Sequence, residues 1–332
     1  MALHAVDDLT DAFDATRSFL WPFEFGKWVR LAVLSLFVAG GSGGGGMSPG
    51  NASQYAPADG GAPGAMPGPG MDIAQFLDAT LWAVVAIAVV LVGLGLFFAW
   101  LAAVFEFAFL ESIRTDAVQL RRYVRRFRGE GTHLFGFRLL FGLAIALVVG
   151  AVALLVIGPT LMGLSQAPLL LALPLIPVVL IVLVLASVAY LFTTAFVAPI
   201  MLFENRGVIS GWRRFWGVLR ENWLQFGVFV ILGLLVMAAI GILVGIAVAL
   251  LGIAIAIPFA ILFFGLVTLG PPSFTGIALV VLGIPFALLM LGVVAFVQVP
   301  VQTFLRYWAL LVLGDVEPDL DLIPDQRSAV RE

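Results

Sequence analysis

Residues 139–203 read LLFGLAIALVVGAVALLVIGPTLMGLSQAPLLLALPLIPVVLIVLVLASVAYLFTTAFVAPIMLF, without one Asp, Glu, Lys or Arg. A helical membrane crossing takes about 20 predominantly apolar residues, so this run has room for two. Residues 79–105 and 222–305 are free of the same four residue types, and the second of these again has room for at least two crossings. The apolar residues are continuous and do not alternate with polar ones, which excludes a transmembrane β-barrel. Of the 332 residues 62% are hydrophobic and 11% charged, where an ordinary soluble domain has about half and a quarter. The chain therefore reads as an all-α, polytopic helical membrane protein forming one membrane domain over 1–332.

Working outward from that run, six spans are expected: 25–42, 76–109, 134–158, 167–203, one starting at Trp223, and 276–312. The stretch 252–276, interrupted by Pro258, reads as an outer re-entrant or oblique segment in preference to a further span. Charge supplies the orientation. The 17 Lys and Arg residues are absent from 31–113, 139–205 and 221–305. They gather at alternate joints, so the positive-inside rule gives six spans in the cell membrane with both termini cytoplasmic. Residues 1–22 hold an N-terminal amphipathic helix, with Leu3, Val6, Leu9, Phe13 and Leu20 on one face and Asp7, Asp8, Asp11 and Asp14 largely opposite. Residues 40–71 are rich in Gly and Pro and read as a flexible outer loop. Residues 313–332 form an acidic C-terminal tail.

The best-patterned joint is Phe203–Phe226. At about 100° per residue, Val208, Ile209, Trp212, Phe215, Trp216, Leu219 and Trp223 share one side, while Ser210, Arg213, Arg214, Gly217, Arg220 and Glu221 share the other. That is the pattern of a helix lying in a membrane interface. A similar basic segment, Ser112–Arg128, precedes the third span. The exits of the even spans also align: Phe109-Leu110-Glu111, Leu202-Phe203-Glu204 and Phe304-Leu305-Arg306. We therefore expect a threefold hairpin repeat of amphipathic helix, span in and span out. In that alignment Glu111, Glu204 and Arg306 are equivalent and could form an ion-pair cluster at the cytoplasmic end. The simpler expectation is local pairing of Glu111 with Arg114 and of Glu204 with Arg206.

Little points to chemistry. There is no cysteine, and the two histidines, His4 and His133, lack ligand-spaced companions. No catalytic, metal-binding or cofactor-binding constellation is legible, so no cofactor is expected and a non-catalytic role is. Ionisable residues within spans mark transport paths. Here Glu106, Arg138, Gln298 and Gln302 all lie near the cytoplasmic ends. The arginines Arg121, Arg122, Arg125, Arg126, Arg213, Arg214 and Arg220 are candidates for contact with anionic lipid head groups. Nucleic acid is not an expected partner, because the basic helices are tied to the membrane by apolar anchors. A membrane scaffold or lipid-interacting accessory protein is the function expected, with a small-molecule or lipid transporter or permease as the alternative.

The segment AFVAPIMLFENRGVISGWRRFWGVLREN at 195–222, leading into WLQFGVFVILGLL, resembles the corresponding joint of the membrane domain associated with glycerophosphodiester phosphodiesterases. It also resembles related uncharacterised prokaryotic membrane proteins, including haloarchaeal ones. The resemblance is clearest over 190–235, weaker over 100–145 and slight elsewhere. It implies a polytopic helical membrane fold. In some members of that family the membrane part is joined to a soluble phosphodiesterase domain. Only short tails flank the membrane region here, so the expectation is that the domain is lacking, and no catalytic residue carries over.

Overall fold

The computed structural model describes residues 4–41, 73–161, 167–271 and 274–331. Where water is absent, each backbone N–H and C=O must be satisfied within its own segment, and helices do this. The described residues accordingly form helices, with no strand among them: α1 (His4–Leu20), α2 (Phe25–Gly41), α3 (Ile73–Thr115), α4 (Leu120–Arg126), α5 (Arg128–Leu161) and α6 (Ala167–Phe192). A π-helical turn (Thr193–Val197) then leads into α7 (Ala198–Glu204), α8 (Val208–Glu221), α9 (Trp223–Leu269) and α10 (Phe274–Val316), followed by a 3-10 turn (Pro318–Leu320) and α11 (Pro324–Arg331).

Among the described residues five helical segments are long and apolar enough to cross a membrane: Leu81–Thr115, Arg128–Val156, Leu175–Glu204, Trp223–Leu269 and Thr275–Val316. The chain is a membrane-embedded, all-α polytopic protein. At the place of the first expected span, α2 is shorter, with 17 residues. Of the re-entrant or oblique alternatives for 252–276, the re-entrant one is corrected: α9 runs unbroken for 47 residues to Leu269 with Pro258 inside it, and α10 begins at Phe274. Proline removes one backbone hydrogen bond. The apolar residues on both sides leave helix as the form that satisfies the rest, and α10 packs along α9. The expected flexible loop lies, beyond Gly41, outside the described residues.

Neighbouring helices pack in the order α9, α10, α2, α3, α5, α6. The hairpins α2–α3, α5–α6 and α9–α10 are thus adjacent, and each is preceded by a further helix: α1, α4 or α8. This is the threefold plan read from the joints. The main buried core lies at one end of the bundle. Residues 102–113 of α3, 192–202 around the π turn, Phe226 and Phe229 of α9, and the last third of α10 form the core. Beyond it the spans present Leu, Val, Ile and Phe outward, as lipid-facing helices do. Close approach inside the core depends on small residues: a Cβ on Gly131 of α5 would stand 2.8 Å from the Cα of Val104 on α3.

The N-terminal helix meets the bundle by only part of the apolar face expected: Leu20 is buried and Leu9 packs against the core. Ala5, Asp8, Ala12, Ala15 and Thr16 point inward, whereas Val6 and Phe13 are exposed. Small side chains let α1 lie close against α10, and the buried Trp308 donates its indole N–H to the Ala5 carbonyl at 2.9 Å. Of the large residues, Phe19 and Leu20 are buried at the end of the helix, while Val6 and Phe13 remain at the surface. Lys27, the single lysine, donates to the Phe19 carbonyl at 2.6 Å at the end of α1 and to Asp116 at 3.0 Å. A cation there offsets the negative end of the helix dipole.

The apolar half of α8 is divided. Val208, Gly211, Phe215 and Val218 are buried, but Ile209, Trp216 and Trp223 are exposed. Phe215 enters a ring cluster with Phe192, Phe196 and Phe226, centroids 5.4, 5.3 and 5.2 Å away. The helix is therefore bolted to the π turn along one edge and keeps an aromatic edge for its surroundings. The C-terminal tail folds back on the bundle: Leu320, Leu322 and Ile323 are buried, and α11 packs on α1.

Candidate functional site

The charged residues that bound the three charge-free runs come together. Glu106 follows 79–105, Arg138 precedes 139–203 and Arg306 follows 222–305. Glu106 stands nine residues before the end of α3, and Arg138 and Arg306 each stand ten from the ends of α5 and α10. At 1.5 Å of rise per residue all three lie about 14–15 Å along their helices from the same end of the bundle. Glu106 is fully buried and bridges them, one carboxylate oxygen on Arg306 and the other 3.3 Å from Arg138. The position of each beside a charge-free run was the signal in the sequence, and the pairing across three helices was missed.

The π turn completes this site. A π turn widens the helix by one residue and breaks the regular bonding pattern, a feature often found at functional positions. Here it presents Thr194 to both guanidiniums. Arg306 donates to the Thr194 carbonyl at 2.9 Å, and Arg138 donates to its hydroxyl at 3.1 Å. The Tyr190 ring lies 5.2 Å from the Arg138 guanidinium, within cation–π range. Trp212 of α8 donates to Thr193 in the same turn at 3.2 Å. Farther along α10, at i−4 and i−8 from Arg306, Gln302 is buried and Gln298 half-buried.

The cluster of Glu111, Glu204 and Arg306 that the alignment allowed does not form, and the simpler local pairs are found in its place. Glu111 pairs with Arg114 at 3.5 Å and Arg126 at 3.2 Å. Glu204 pairs with Arg206 at 3.0 Å and Arg214 at 3.9 Å. Both acids thus reach an arginine of the short helix that follows. Each is followed by a left-handed residue where the chain reverses, Asp116 with φ 49° and Asn205 with φ 50°. Asp and Asn tolerate that conformation better than most side chains. In the third repeat the aligned residue is Arg306, whose sign is opposite, and it turns inward to Glu106.

The basic joints separate into committed and free arginines. Arg126 is held by Glu111, and Arg214 is drawn to Glu317 at 2.9 Å as well as to Glu204. Arg121, Arg122, Arg125 and Arg126 of α4 line an open concavity of about 380 Å³. Arg121, Arg122 and Arg125 are exposed; of these Arg122 has a 3.4 Å contact to Gln119. Arg213 and Arg220 are exposed on α8, with Arg220 over the Trp216 ring at 5.1 Å. A second concavity, along α3, is apolar and lined by Val85, Ala88, Val89, Val92, Gly93 and Leu96.

Another polar centre ties the two ends of the chain. Arg331 reaches Asp8, Asp11 and Asp315, each at 2.8 Å. Arg327 pairs with Asp315 at 3.0 Å and Asp321 at 3.2 Å. Burial, and then the negative charge of Asp315, push the Asp8 carboxyl up from 3.8 to about 7, against the opposing pull of Arg331. Its hydrogen bond to Asp315 holds Arg331 above the ordinary guanidinium value. Among the described residues no three His, Asp or Glu side chains converge as a metal site.

No curated protein and no solved structure matches the chain. A model of a family of unknown function, DUF7544, matches residues 3–323, and the protein belongs to that family.

Proposed function

We propose that this is a non-catalytic scaffold or lipid-interacting accessory protein of the cell membrane. Its basic joints and both termini face the cytoplasm, and its exposed arginines hold anionic phospholipid. The observation that carries this reading is the α4 concavity of about 380 Å³ lined by Arg121, Arg122, Arg125 and Arg126. Among the described residues only Arg126 of these is paired with a carboxylate. Clustered guanidiniums beside a span contribute about 1 kcal/mol each toward an anionic leaflet. On α8, Arg213 and Arg220 extend the same surface, with Ile209, Trp216 and Trp223 as apolar anchors beside them. The resemblance to the phosphodiesterase-associated membrane domain fits this role, because that domain is the membrane part and not the catalytic one.

The competing reading is a small-molecule or lipid transporter, and the buried Glu106, Arg138 and Arg306 favour it. Against it, no Asp, Glu, Lys or Arg lies in 81–105, 139–156, 175–203, 222–269 or 275–305. A coupled transporter places its polar groups near the midplane. The test is native mass spectrometry of the protein extracted from membranes. Replacing Arg121, Arg122 and Arg125 together by Gln is expected to remove most of the co-purifying anionic phospholipid and leave zwitterionic lipid unchanged. Retention at the parent level in that triple variant overturns the lipid-binding role.

A further inference from the structure

The site at the π turn holds two guanidiniums, those of Arg138 and Arg306, against the single carboxylate of Glu106. Among the described residues no surrounding element supplies a balancing charge. From α3 comes Glu106; the next acid, Glu111, is five residues on and already held by Arg114 and Arg126. From α6 comes Tyr190, and from the π turn Thr194. From α10 come Arg306 and the uncharged Gln302 and Gln298. Glu204 is engaged by Arg206 and Arg214. The cluster thus carries an excess of one positive charge at a depth where Glu106 is fully buried, Arg306 is 7% exposed and Arg138 10%. An unbalanced buried charge is costly. The Thr194 oxygens and the Tyr190 ring soften that cost, but neutral groups do not cancel charge. Moreover, the Nε–H groups of Arg138 and Arg306 find no hydrogen-bond acceptor among the described residues. An unmet buried donor is itself destabilising.

We propose that this cluster binds one small monovalent anion of chloride size between Arg138 and Arg306. The single surplus charge sets the valence. The near-complete burial of all three charged side chains sets the size, since a phosphodiester head group is too large for it. The ion completes the electrostatics of the core where α3, α5, the π turn and α10 meet. This site is separate from the lipid-facing arginines of α4 and α8.

The experiment uses the full-length protein in nanodiscs of zwitterionic lipid, melted while chloride replaces gluconate at constant ionic strength. The parent is expected to melt at a temperature that rises saturably with chloride. At 100 times the half-saturating concentration the apparent unfolding constant should be lower by about 100-fold. Arg138→Gln leaves one guanidinium on one carboxylate. It should melt independently of chloride, and in gluconate at or above the parent's temperature. Glu106→Gln raises the surplus to two and should move half-saturation to lower chloride. Should that variant fail to fold, the chloride-35 line broadening given by the parent, and its loss in Arg138→Gln, carry the test. Chloride-independent melting of the parent overturns the proposal, as does a chloride response undiminished in Arg138→Gln. Saturation by anionic lipid added without chloride, abolished by Arg138→Gln, also overturns it and assigns the site to a lipid phosphate.

Discussion

Removal of the Phe215 ring tests whether α8 is bolted to the bundle or merely rests at the membrane surface. Phe215 is fully buried. Its ring lies 5.2–5.4 Å from Phe226, Phe196 and Phe192 and 5.8 Å from Trp212. Burying such a side chain contributes about 1.5–3 kcal/mol, and the cavity left by Phe→Ala brings the loss to about 3–5 kcal/mol. The ring pairs are part of that sum and are not added again. Lipid tails do not reproduce the packing, because the neighbours are protein rings from α6, the π turn and α9. The assay is reversible unfolding in mixed micelles, comparing Phe215→Ala with Ile209→Ala on the same helix. Ile209 is 76% exposed, and its truncation is expected to cost less than about 0.5 kcal/mol. The difference between the two variants should therefore be at least about 2.5 kcal/mol. Equal stabilities would refute the argument, for α8 would then be held by the membrane alone.

Two other expectations concern the terminal clasp and the orientation. The Asp8 carboxyl is raised in the folded chain from 3.8 to about 7. The folded state therefore binds the extra proton between those values, and its contribution to stability is full below about 4 and lost as pH rises through about 7. Melting profiles of Asp8→Asn should be flatter than the parent's across that window, and a parallel pair of profiles would refute the linkage. Reporter fusions placed after Gly129 and after Asn222 should both report the cytoplasmic side, following the positive-inside rule; an extracytoplasmic signal from either would reverse the assigned topology.

The class of fold was legible because the membrane imposes it through composition. Runs such as 139–203 leave no other reading, and the start of α9 at Trp223 follows from its joint. Other features depended on which apolar surface meets protein and which meets lipid, a distinction hydropathy does not make. Val6 and Phe13 of α1 were as hydrophobic as any core residue, yet they stay exposed while Ala5, Ala12 and Ala15 pack along with Phe19 and Leu20. Periodicity locates a face and is silent about its neighbour. The repeat alignment placed Arg306 beside Glu111 and Glu204, but each acid already had an arginine within local reach. The long-range partner of Arg306 was instead the acid lying deeper on α3. Similarly, the identity of Pro258 argued for a break, while the apolar residues on both sides decided for continuity.

The unequal lengths of the helices have a consequence for the surrounding bilayer. The 47 residues of α9 and 43 of α10 rise about 70 and 65 Å, whereas the 17 of α2 rise about 26 Å. A hydrocarbon core is about 30 Å thick, and even at a tilt of about 40° a helix covers only about 39 Å within it. The α9–α10 hairpin thus carries about 25–30 Å of helix beyond what the hydrocarbon core covers, although α2 packs directly beside α10. At fractions of a kcal/mol per ångström, this mismatch amounts to several kcal/mol, enough to recruit longer-chain lipids or to tip the hairpin steeply. The α9–α10 hairpin therefore sets a preference for thick bilayer, so the protein's position in a membrane of uneven thickness is a property of its own helix lengths.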